Sequence, residues 1–321
     1  MALFITRRLL WTVLVVAVVL MVTFVVFYLL PAGDPAVRFA GKSPTPELLD
    51  QIRHRLGLDH AWYIQFAHFL RDFFAGDAYG WPGLGYSYSG GVSVRDEVFT
   101  RAPRTLLLIL GAAIIWLVVG VTIGVVSAVK RRSLADRIAM GFALFGISSP
   151  VFWLGLMSLY IFWRKLGLTG GTGYTPLDQG VGKFFGHMVL PWCVLALLYA
   201  AFYARVTRNN LLETLGEDYI RTARAKGLPE RTVILRHGLR ASLTPIVTMF
   251  GLDIALLVGG AIITESVFNI QGLGWLAVNG AVNQDLPTVL GVVVLSALAV
   301  AVMNLLVDVL YAFLDPRVRY A

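Results

Sequence analysis

Residues whose side chains could perform catalysis or bind a metal are few and scattered along this sequence of 321 residues. The histidines lack the spacing of a metal-ligand set, and the one cysteine, Cys193, lies in an apolar run where packing is its expected role. The stretch Gly85–Ser89 begins like a turn that presents a nucleophilic serine but lacks its closing glycine, and Gly182-Lys183 lacks the flanking residues of a phosphate-binding loop. The sequence therefore predicts a non-catalytic chain without a cofactor or metal and without ATP binding of its own. The histidines are His54, His60, His68, His187 and His237.

Acidic and polar side chains in or beside long apolar runs are more informative. Asp253 and Asp308 lie inside such runs, where a charge is costly and a functional role is the default hypothesis. Asp253 could face a pore and contact the amine of a ligand, pair with a neighbouring subunit, or stay protonated. For Asp308 a structural role near water or Arg317 is favoured. Glu265 and Asn269 follow another apolar run and are candidate pore or external contacts, although Glu265 could equally be a plain charge at a helix end.

Six apolar segments are long enough to cross a bilayer. The chain is 57% hydrophobic and 14% charged, whereas soluble domains carry about a quarter charged residues. The runs are continuous rather than alternating, which favours helices of about 20 residues over barrel strands. The first run is too long for a signal peptide and no cleavage site follows it, so we expect it to be retained. The predicted spans are Leu9–Leu30, Leu106–Val129, Ile138–Phe162, Met188–Val206, Pro245–Ile263 and Val289–Phe313.

The distribution of basic residues predicts the orientation of these spans. If Arg7 and Arg8 lie inside, 16 of the 27 lysines and arginines flank the inner ends of the spans, as cytoplasmic flanks do. Both termini are then expected in the cytoplasm. The inner set is Arg7, Arg8, Lys130, Arg131, Arg132, Arg137, Arg205, Arg208, Arg221, Arg224, Lys226, Arg231, Arg236, Arg240, Arg317 and Arg319.

Two features predict how the spans bend and pack. Gly120 and Gly124 form a pair of small residues one turn apart, which is typical of closely packed membrane helices. Pro150, preceded by Ser149, is expected to bend the third span because proline removes a helical hydrogen bond.

An outer polar segment runs from about Pro31 to Arg104. Within it, Pro46–Asp59 has apolar residues at the spacing of an amphipathic helix that lies on a membrane or on the protein. Gly76–Gly91 is rich in glycine, tyrosine and serine and is expected to be a loop. The segment is expected to pack at the outer mouth, with contact to an external partner as one alternative and a simple cap as the other.

An inner segment of nearly forty residues, about 207–244, is far longer than a connector between two spans requires. In Glu217–Glu230 the acids come first and the bases last, which complements a helix dipole. Gly227 is placed to end that helix and Pro229 prevents its continuation. A second helical stretch, from Glu230 to about Leu239, completes a hairpin. Thr222, Ala223 and Ala225 are small, so another surface could approach closely; the alternative is a solvated basic loop.

This segment resembles the cytoplasmic coupling loop, often called EAA, of type I ABC-importer permeases through Arg221-Thr222-Ala223-Arg224-Ala225-Lys226-Gly227. The whole chain resembles more narrowly the dipeptide and oligopeptide permease subunits. Blocks along the entire length carry this resemblance. They are Ile5–Leu10, Arg53–Asp59, Arg101–Leu106, Ser148–Pro150, Glu265–Gly274, Asn304–Tyr311 and Leu314–Arg317.

The resemblance implies an all-α integral membrane protein with six transmembrane helices, in the plasma membrane of a prokaryote, that forms half of a translocation pore. Its domains would be residues 1–94, with the first span and the extracytoplasmic segment, and a permease core at 95–317 containing the coupling loop at 207–244. Implied partners are a homologous second permease subunit, two cytoplasmic ATPase domains, an extracytoplasmic substrate-binding protein and a peptide substrate. ATP hydrolysis would then occur in the partner chains. The implied coupling residues are Tyr219, Arg221, Thr222, Ala223, Lys226, Gly227, Leu228 and Pro229.

Some residues depart from the family pattern. Arg221, Thr222 and Ala223 stand where the general loop has Glu-Ala-Ala, the loop at Asp77–Ser89 is long and rich in glycine and tyrosine, and Asp253 stands where a neutral amide is frequent. The same scaffold could import nickel, glutathione or another small solute. An intramembrane enzyme, an ion channel or a receptor would be alternatives of another class.

Overall fold

The computed structural model describes residues 2–30, 34–40 and 44–314 of the chain. The predicted segment start at Pro31 and the predicted inner residues Arg317 and Arg319 lie outside these residues, as does the domain end at 317. The described helices are α1 (Ala2–Phe24), α2 (Pro35–Ala40), α3 (Pro46–Leu56), α4 (Trp62–Ala75), α5 (Val94–Val129), α6 (Leu134–Ser148), α7 (Val151–Ser158), α8 (Val181–Thr214), α9 (Asp218–Ala225), α10 (Glu230–Thr232), α11 (Arg240–Val258), α12 (Ile262–Phe268), α13 (Leu273–Val282) and α14 (Leu286–Leu314). The strands are β1 (Tyr86–Ser87) and β2 (Val92–Ser93).

Membrane-length apolar helices dominate the described residues and confirm an all-α membrane fold. Five are long and apolar enough to cross a bilayer, and a bent pair brings the number to six if it counts as one span. The pair consists of α6 and Val151–Lys165, which bends by 105° after Ser149-Pro150, so the predicted bend is confirmed. The five continuous spans are Thr6–Leu29, Val94–Val129, Val181–Thr214, Glu230–Val258 and Leu286–Val309.

The fifth span differs from its prediction at both ends. It begins at Glu230 rather than Pro245, since α10, a π-helical turn at Val233–Leu239 and α11 run on from one another. It stops at Val258 rather than Ile263 because Gly260 has a φ of +109°, which ends the helix. Residues 262–268 form the separate helix α12.

The chain divides into two compact units. One comprises Met1–Leu106 and Ala255–Leu305, and the other Leu107–Ile254 and Leu306–Ala321. The first unit has a core of apolar side chains from α1 to α4, the start of α5, α13 and α14, in which Phe24, Ile52 and Val94 are fully buried.

The outer polar segment belongs to the first unit and is more ordered than the sequence indicates. The predicted amphipathic helix is confirmed as α3, which begins after Thr45, whose hydroxyl accepts a hydrogen bond from the Leu48 N–H, and ends at Gly57. Helix α4 follows and was not predicted. The expected loop at Gly76–Gly91 contains part of a short antiparallel hairpin, with Tyr86 opposite Ser93, and is to that extent corrected.

Helix α8 is the centre of the second unit, where small residues let its neighbours approach closely. A Cβ on Gly120 of α5 would lie 2.7 Å from the Cβ of Tyr203, and one on Gly124 would lie 2.5 Å from the Cβ of Thr207. Gly146 of α6 meets Ala201 in the same way. The predicted close packing at Gly120 and Gly124 is therefore confirmed.

Candidate functional site

The predicted inner hairpin consists of α9, a turn at Lys226–Pro229, and α10 with the helix that continues it. Asp218 lies in the first turn of α9 and Arg224 in the last, as the dipole argument requires. Gly227 has a φ of +75° and its N–H donates to the Arg224 carbonyl, so the glycine ends the helix as predicted. Pro229 then caps α10. The predicted helix, stop and second helix are confirmed.

A small apolar core holds the hairpin together. Ile220 and Val233 are fully buried and pack with Ala223, while Leu215 at the end of α8 covers them. Ala223, expected to leave room for another surface, therefore faces the hairpin's own core. Thr222 and Ala225 are exposed, and the Thr222 hydroxyl donates to the Asp218 carbonyl.

The outside of the hairpin carries exposed ion pairs and apolar groups. Arg224 donates from Nε and Nη2 to the two carboxylate oxygens of Glu230, over 3.1 and 2.8 Å, and so joins α9 to α10 across the turn. Tyr219 and Leu228 are 46% and 38% exposed. The hairpin thus presents aromatic, apolar and basic groups on one rigid element.

Asp253, five residues before the end of α11, has a partner within its own unit. The hydroxyl of Tyr203 on α8 donates to Oδ2 of Asp253 over 2.6 Å, and the carboxylate is partly exposed. Trp116 of α5 stacks on Tyr199, with ring centroids 4.6 Å apart. The carboxylate therefore lies beside a group of aromatic rings, with one oxygen already bonded.

Glu265 is not an external contact, which corrects the expectation for this residue. It is fully buried, and its carboxylate accepts hydrogen bonds from the Thr105 hydroxyl over 2.7 Å and the Trp275 N–H over 2.8 Å. Burial raises the pKa of the Glu265 carboxyl above its ordinary value, while the donors from Trp275, Thr105 and Gly274 oppose the rise. The Glu265 carboxylate thereby holds the turn between α12 and α13 in place.

Asn269 lies in that turn and is exposed. It ends α12 with a φ of +52°, a left-handed conformation that asparagine tolerates better than most residues. Gln271, in the same turn, also has a left-handed backbone conformation. Its carbonyl accepts hydrogen bonds from Arg101 and Arg104 of α5, over 3.5 and 3.4 Å. The exposed Asn269 thus lies in a turn that is held by hydrogen bonds from α5 and to Glu265.

Two family models match the chain and together cover nearly all of it. Residues 120–320 match the binding-protein-dependent transport system inner membrane component, and residues 1–124 match the N-terminal model of the same membrane components. The chain belongs to this family of inner membrane transport components. It is therefore a multi-pass membrane protein of a prokaryotic transport system.

Relatives of the same length support this membership. The Sinorhizobium fredii protein named "Probable peptide ABC transporter permease protein y4tP" is 38% identical over 320 residues, all of both chains. The dipeptide transport system permease protein DppB of Escherichia coli K12 is 37% identical and covers 99% of this chain and 98% of its own. A solved inward-facing MetNI methionine ABC transporter shares the fold, with a TM-score of 0.54 at 19% identity over 69% of this chain and 97% of its own.

In this transport component the predicted site residues fall into separate groups. Tyr219 to Pro229 form one continuous hairpin in the second unit, where Asp253 also lies, whereas Glu265 and Asn269 belong to the first. Two pairs were not predicted from the sequence: Tyr203 with Asp253, and Asp136 with Arg208. Both are long-range pairs, and the only signal for them was a charged or phenolic side chain inside or at the end of an apolar run.

Proposed function

We propose that this chain is a permease subunit of an ATP-driven importer of short peptides. The substrate class is supported by the names of full-length relatives that are 37–38% identical, which specify peptide and dipeptide transport. A homologous second permease subunit would complete the pore, an extracytoplasmic binding protein would deliver the peptide, and two ATPase domains would supply the energy. The chain itself would carry out no chemistry.

The inner hairpin is the proposed docking element for one ATPase. The observation that carries this proposal is a self-contained hairpin that keeps its own core and still exposes Tyr219 and Leu228. Large exposed apolar groups flanked by charges are typical of interface residues. Arg221 and Lys226, both exposed, would add electrostatic complementarity to an acidic groove.

The test is a paired substitution in the complete importer reconstituted into liposomes. Tyr219→Ala with Leu228→Ala should reduce uptake of a radiolabelled dipeptide at least ~10-fold, since buried anchors dominate interface energies. Leu134→Ala is the matched control, because Leu134 is a more exposed leucine (72%) at the start of α6, outside the hairpin. Uptake that stays at the wild-type rate in the double variant would remove the docking proposal.

Gly227 offers a second test of coupling. Its Cβ position meets no atom within 4 Å, so a larger residue would not clash, but the φ of +75° is unfavourable for a β-branched side chain. Gly227→Val should leave the chain inserted and bend the turn that carries Leu228. We expect ATP hydrolysis to continue while dipeptide uptake falls, measured together in the same liposomes. A variant with normal uptake would count against this role.

We propose further that Asp253 faces the pore and meets the ammonium group of the passing peptide. One carboxylate oxygen bonds Tyr203 and the residue is partly exposed, so the second oxygen has room for a ligand. Asp253→Asn should slow dipeptide uptake, and Tyr203→Phe, which keeps the charge, should slow it less. Unchanged uptake by Asp253→Asn would remove the pore-facing assignment.

Competition distinguishes the substrate classes. Unlabelled dipeptide should abolish uptake of the labelled dipeptide, whereas nickel should not compete. Competition by glutathione alone would move the assignment to that substrate within the same scaffold.

Asn269 remains a proposed external contact. If the binding protein contacts it, Asn269→Asp should weaken the stimulation of ATP hydrolysis by the loaded binding protein.

A further inference from the structure

A buried ion pair in the second unit lies where three helices meet. The side chain of Asp136, at the start of α6, is 7% exposed, and that of Arg208, near the end of α8, is 20% exposed. Arg208 donates from Nε to Oδ1 over 2.8 Å and from Nη2 to Oδ2 over 3.0 Å, so the pair is bidentate. Bidentate pairs fix orientation as well as distance.

The same carboxylate accepts two further hydrogen bonds from residues that are not on α8. The hydroxyl of Ser127, in the last turn of α5, donates to Oδ1, and the N–H of Arg132 donates to Oδ2 over 2.9 Å. Arg132 has a φ of +64°, an uncommon conformation for arginine, which directs its N–H toward the carboxylate. Asp136 thereby joins the end of α5, the turn after it, the start of α6, and α8.

Helix α8 leads from this joint directly to the inner hairpin. It continues without a break to Thr214, about two turns beyond Arg208. A Cβ on Gly238, in the second arm of the hairpin, would lie 3.1 Å from side-chain atoms of both Leu211 and Leu215. The hairpin is therefore packed against the last turns of α8, and a displacement of the hairpin has to move α8.

The apolar contacts along α8 are made largely by small residues. Gly124 lies against Ala204 and Thr207, and Gly146 lies against Leu197 and Ala201. Such small-residue surfaces let helices approach closely and are held by dispersion contacts, which are individually weak. The bidentate pair adds a strong directional contact at the inner ends, as the indole N–H of Trp192 does toward the Leu107 carbonyl farther along α8.

We infer that Asp136 and Arg208 are positioning residues which make α5, α6 and α8 move as one body when the hairpin is displaced. This inference rests on the proposed coupling function of the hairpin. Neither residue belongs to the hairpin or contacts the proposed pore residue Asp253. Without the pair, motion of α8 would be absorbed at its contacts with α5 and α6 instead of reaching the rest of the unit.

The first experiment measures the number of dipeptides imported per ATP hydrolysed by the complete importer in liposomes. Asp136→Asn keeps the shape of the side chain but leaves the Arg208 charge unpaired, and we expect this ratio to fall at least ~10-fold while ATP hydrolysis continues. Arg208→Lys keeps the charge and loses the bidentate geometry, so an intermediate loss is expected. Asp96→Asn is the matched control, because it removes the carboxylate of an exposed ion pair with Arg95 in the first unit, and the wild-type ratio is expected.

The second experiment detects relative motion directly. Replacing Cys193 by serine gives a chain without cysteine, since the sequence has only one. Spin labels at Leu134→Cys on α6 and Glu213→Cys on α8, both exposed positions, then report the distance between the two helices with and without ATP and vanadate. We expect one narrow distribution in both states for the otherwise wild-type chain, and a broader or ATP-dependent one with Asp136→Asn.

The outcomes separate this inference from the proposed function. Without ATP-driven uptake by the wild-type importer, the proposed function itself fails. A normal transport ratio in folded Asp136→Asn and Arg208→Lys importers, with unchanged label distances, would reduce the pair to a purely structural contact and overturn the inference. Should Asp136→Asn fail to assemble, the milder Arg208→Lys decides by the same two measurements.

Discussion

Two helical hairpins of this chain are built in opposite ways. The inner one, α9 to α10, has a core of three buried side chains, exposed ion pairs, and a turn at Gly227 with open space around it. The outer one, α12 to α13, turns around the fully buried Glu265. Its glycines are enclosed, since a Cβ on Gly260 would lie 2.6 Å from the backbone of Gly274.

The difference shows how the same type of element, a helical hairpin, can serve two purposes. In the outer hairpin the buried carboxylate of Glu265 is hydrogen-bonded within the fold, so its replacement should lower stability. In the inner hairpin the polar and aromatic groups face outward, so that a change should affect partner binding more than folding. Substitutions of the buried groups in the outer hairpin should therefore lower stability, and those of the exposed groups in the inner hairpin should lower transport.

The largest effect is expected for Glu265→Ala. It leaves the part-buried backbone N–H of Trp275 and the buried Thr105 hydroxyl without their acceptor, which should cost about 3 kcal/mol. Thermal unfolding of the purified complex, followed by size-exclusion fluorescence, measures this loss. Glu265→Gln, which keeps one acceptor oxygen, should lie between Ala and wild type. A melting temperature of Glu265→Ala equal to that of wild type would show that the carboxylate does not hold this turn.

The next largest difference in stability is expected between alanine substitutions of Gly260 and Gly227. Gly260→Ala places a Cβ 2.6 Å from Gly274 backbone atoms and keeps an unfavourable φ of +109°, so a loss of about 2 kcal/mol is expected. Gly227→Ala meets no neighbour and carries only the cost of its positive φ, about 1 kcal/mol. The melting temperatures of the two variants test whether the enclosed Gly260 is more costly to replace than the unenclosed Gly227. Equal decreases in melting temperature would contradict this expectation.

The inner hairpin was predictable from sequence because its signals are local. The acid-to-base order of Glu217–Glu230 and the stop at Gly227 need no knowledge of distant residues, and the same holds for the bend at Pro150. The six apolar runs were found for the same reason, since length and composition alone define a span.

The outer hairpin was mispredicted because its determinants are distant in sequence. Glu265 looks like an exposed helix-end charge until Thr105, 160 residues earlier, is seen to donate to it. The break at Gly260 also depends on packing against Gly274, so the apolar pattern alone extended the fifth span to Ile263. Periodicity cannot reveal such contacts, and a single sequence offers no other signal for them.

The pH dependence of stability gives a smaller but specific difference. Because burial raises the pKa of Glu265, the folded protein holds this proton more tightly than the unfolded chain does. Stability should therefore fall as pH rises from the unfolded value of about 4.5 through the raised folded value. The change in melting temperature with pH, wild type minus Glu265→Gln, isolates this contribution. A difference that is flat or rises with pH would contradict the assigned burial.

The smallest effect on stability is expected for Arg224→Ala in the inner hairpin. The Arg224 and Glu230 side chains are 42% and 56% exposed, and exposed pairs are screened by water and salt. The melting temperature should not change measurably, at low or high salt, because Ile220 and Val233 keep the hairpin core. Dipeptide uptake should nevertheless decrease, since Arg224 joins the two arms of the proposed docking element across the turn. A lowered melting temperature with normal uptake would show that Arg224, like Glu265 in the outer hairpin, stabilises the fold and does not serve docking.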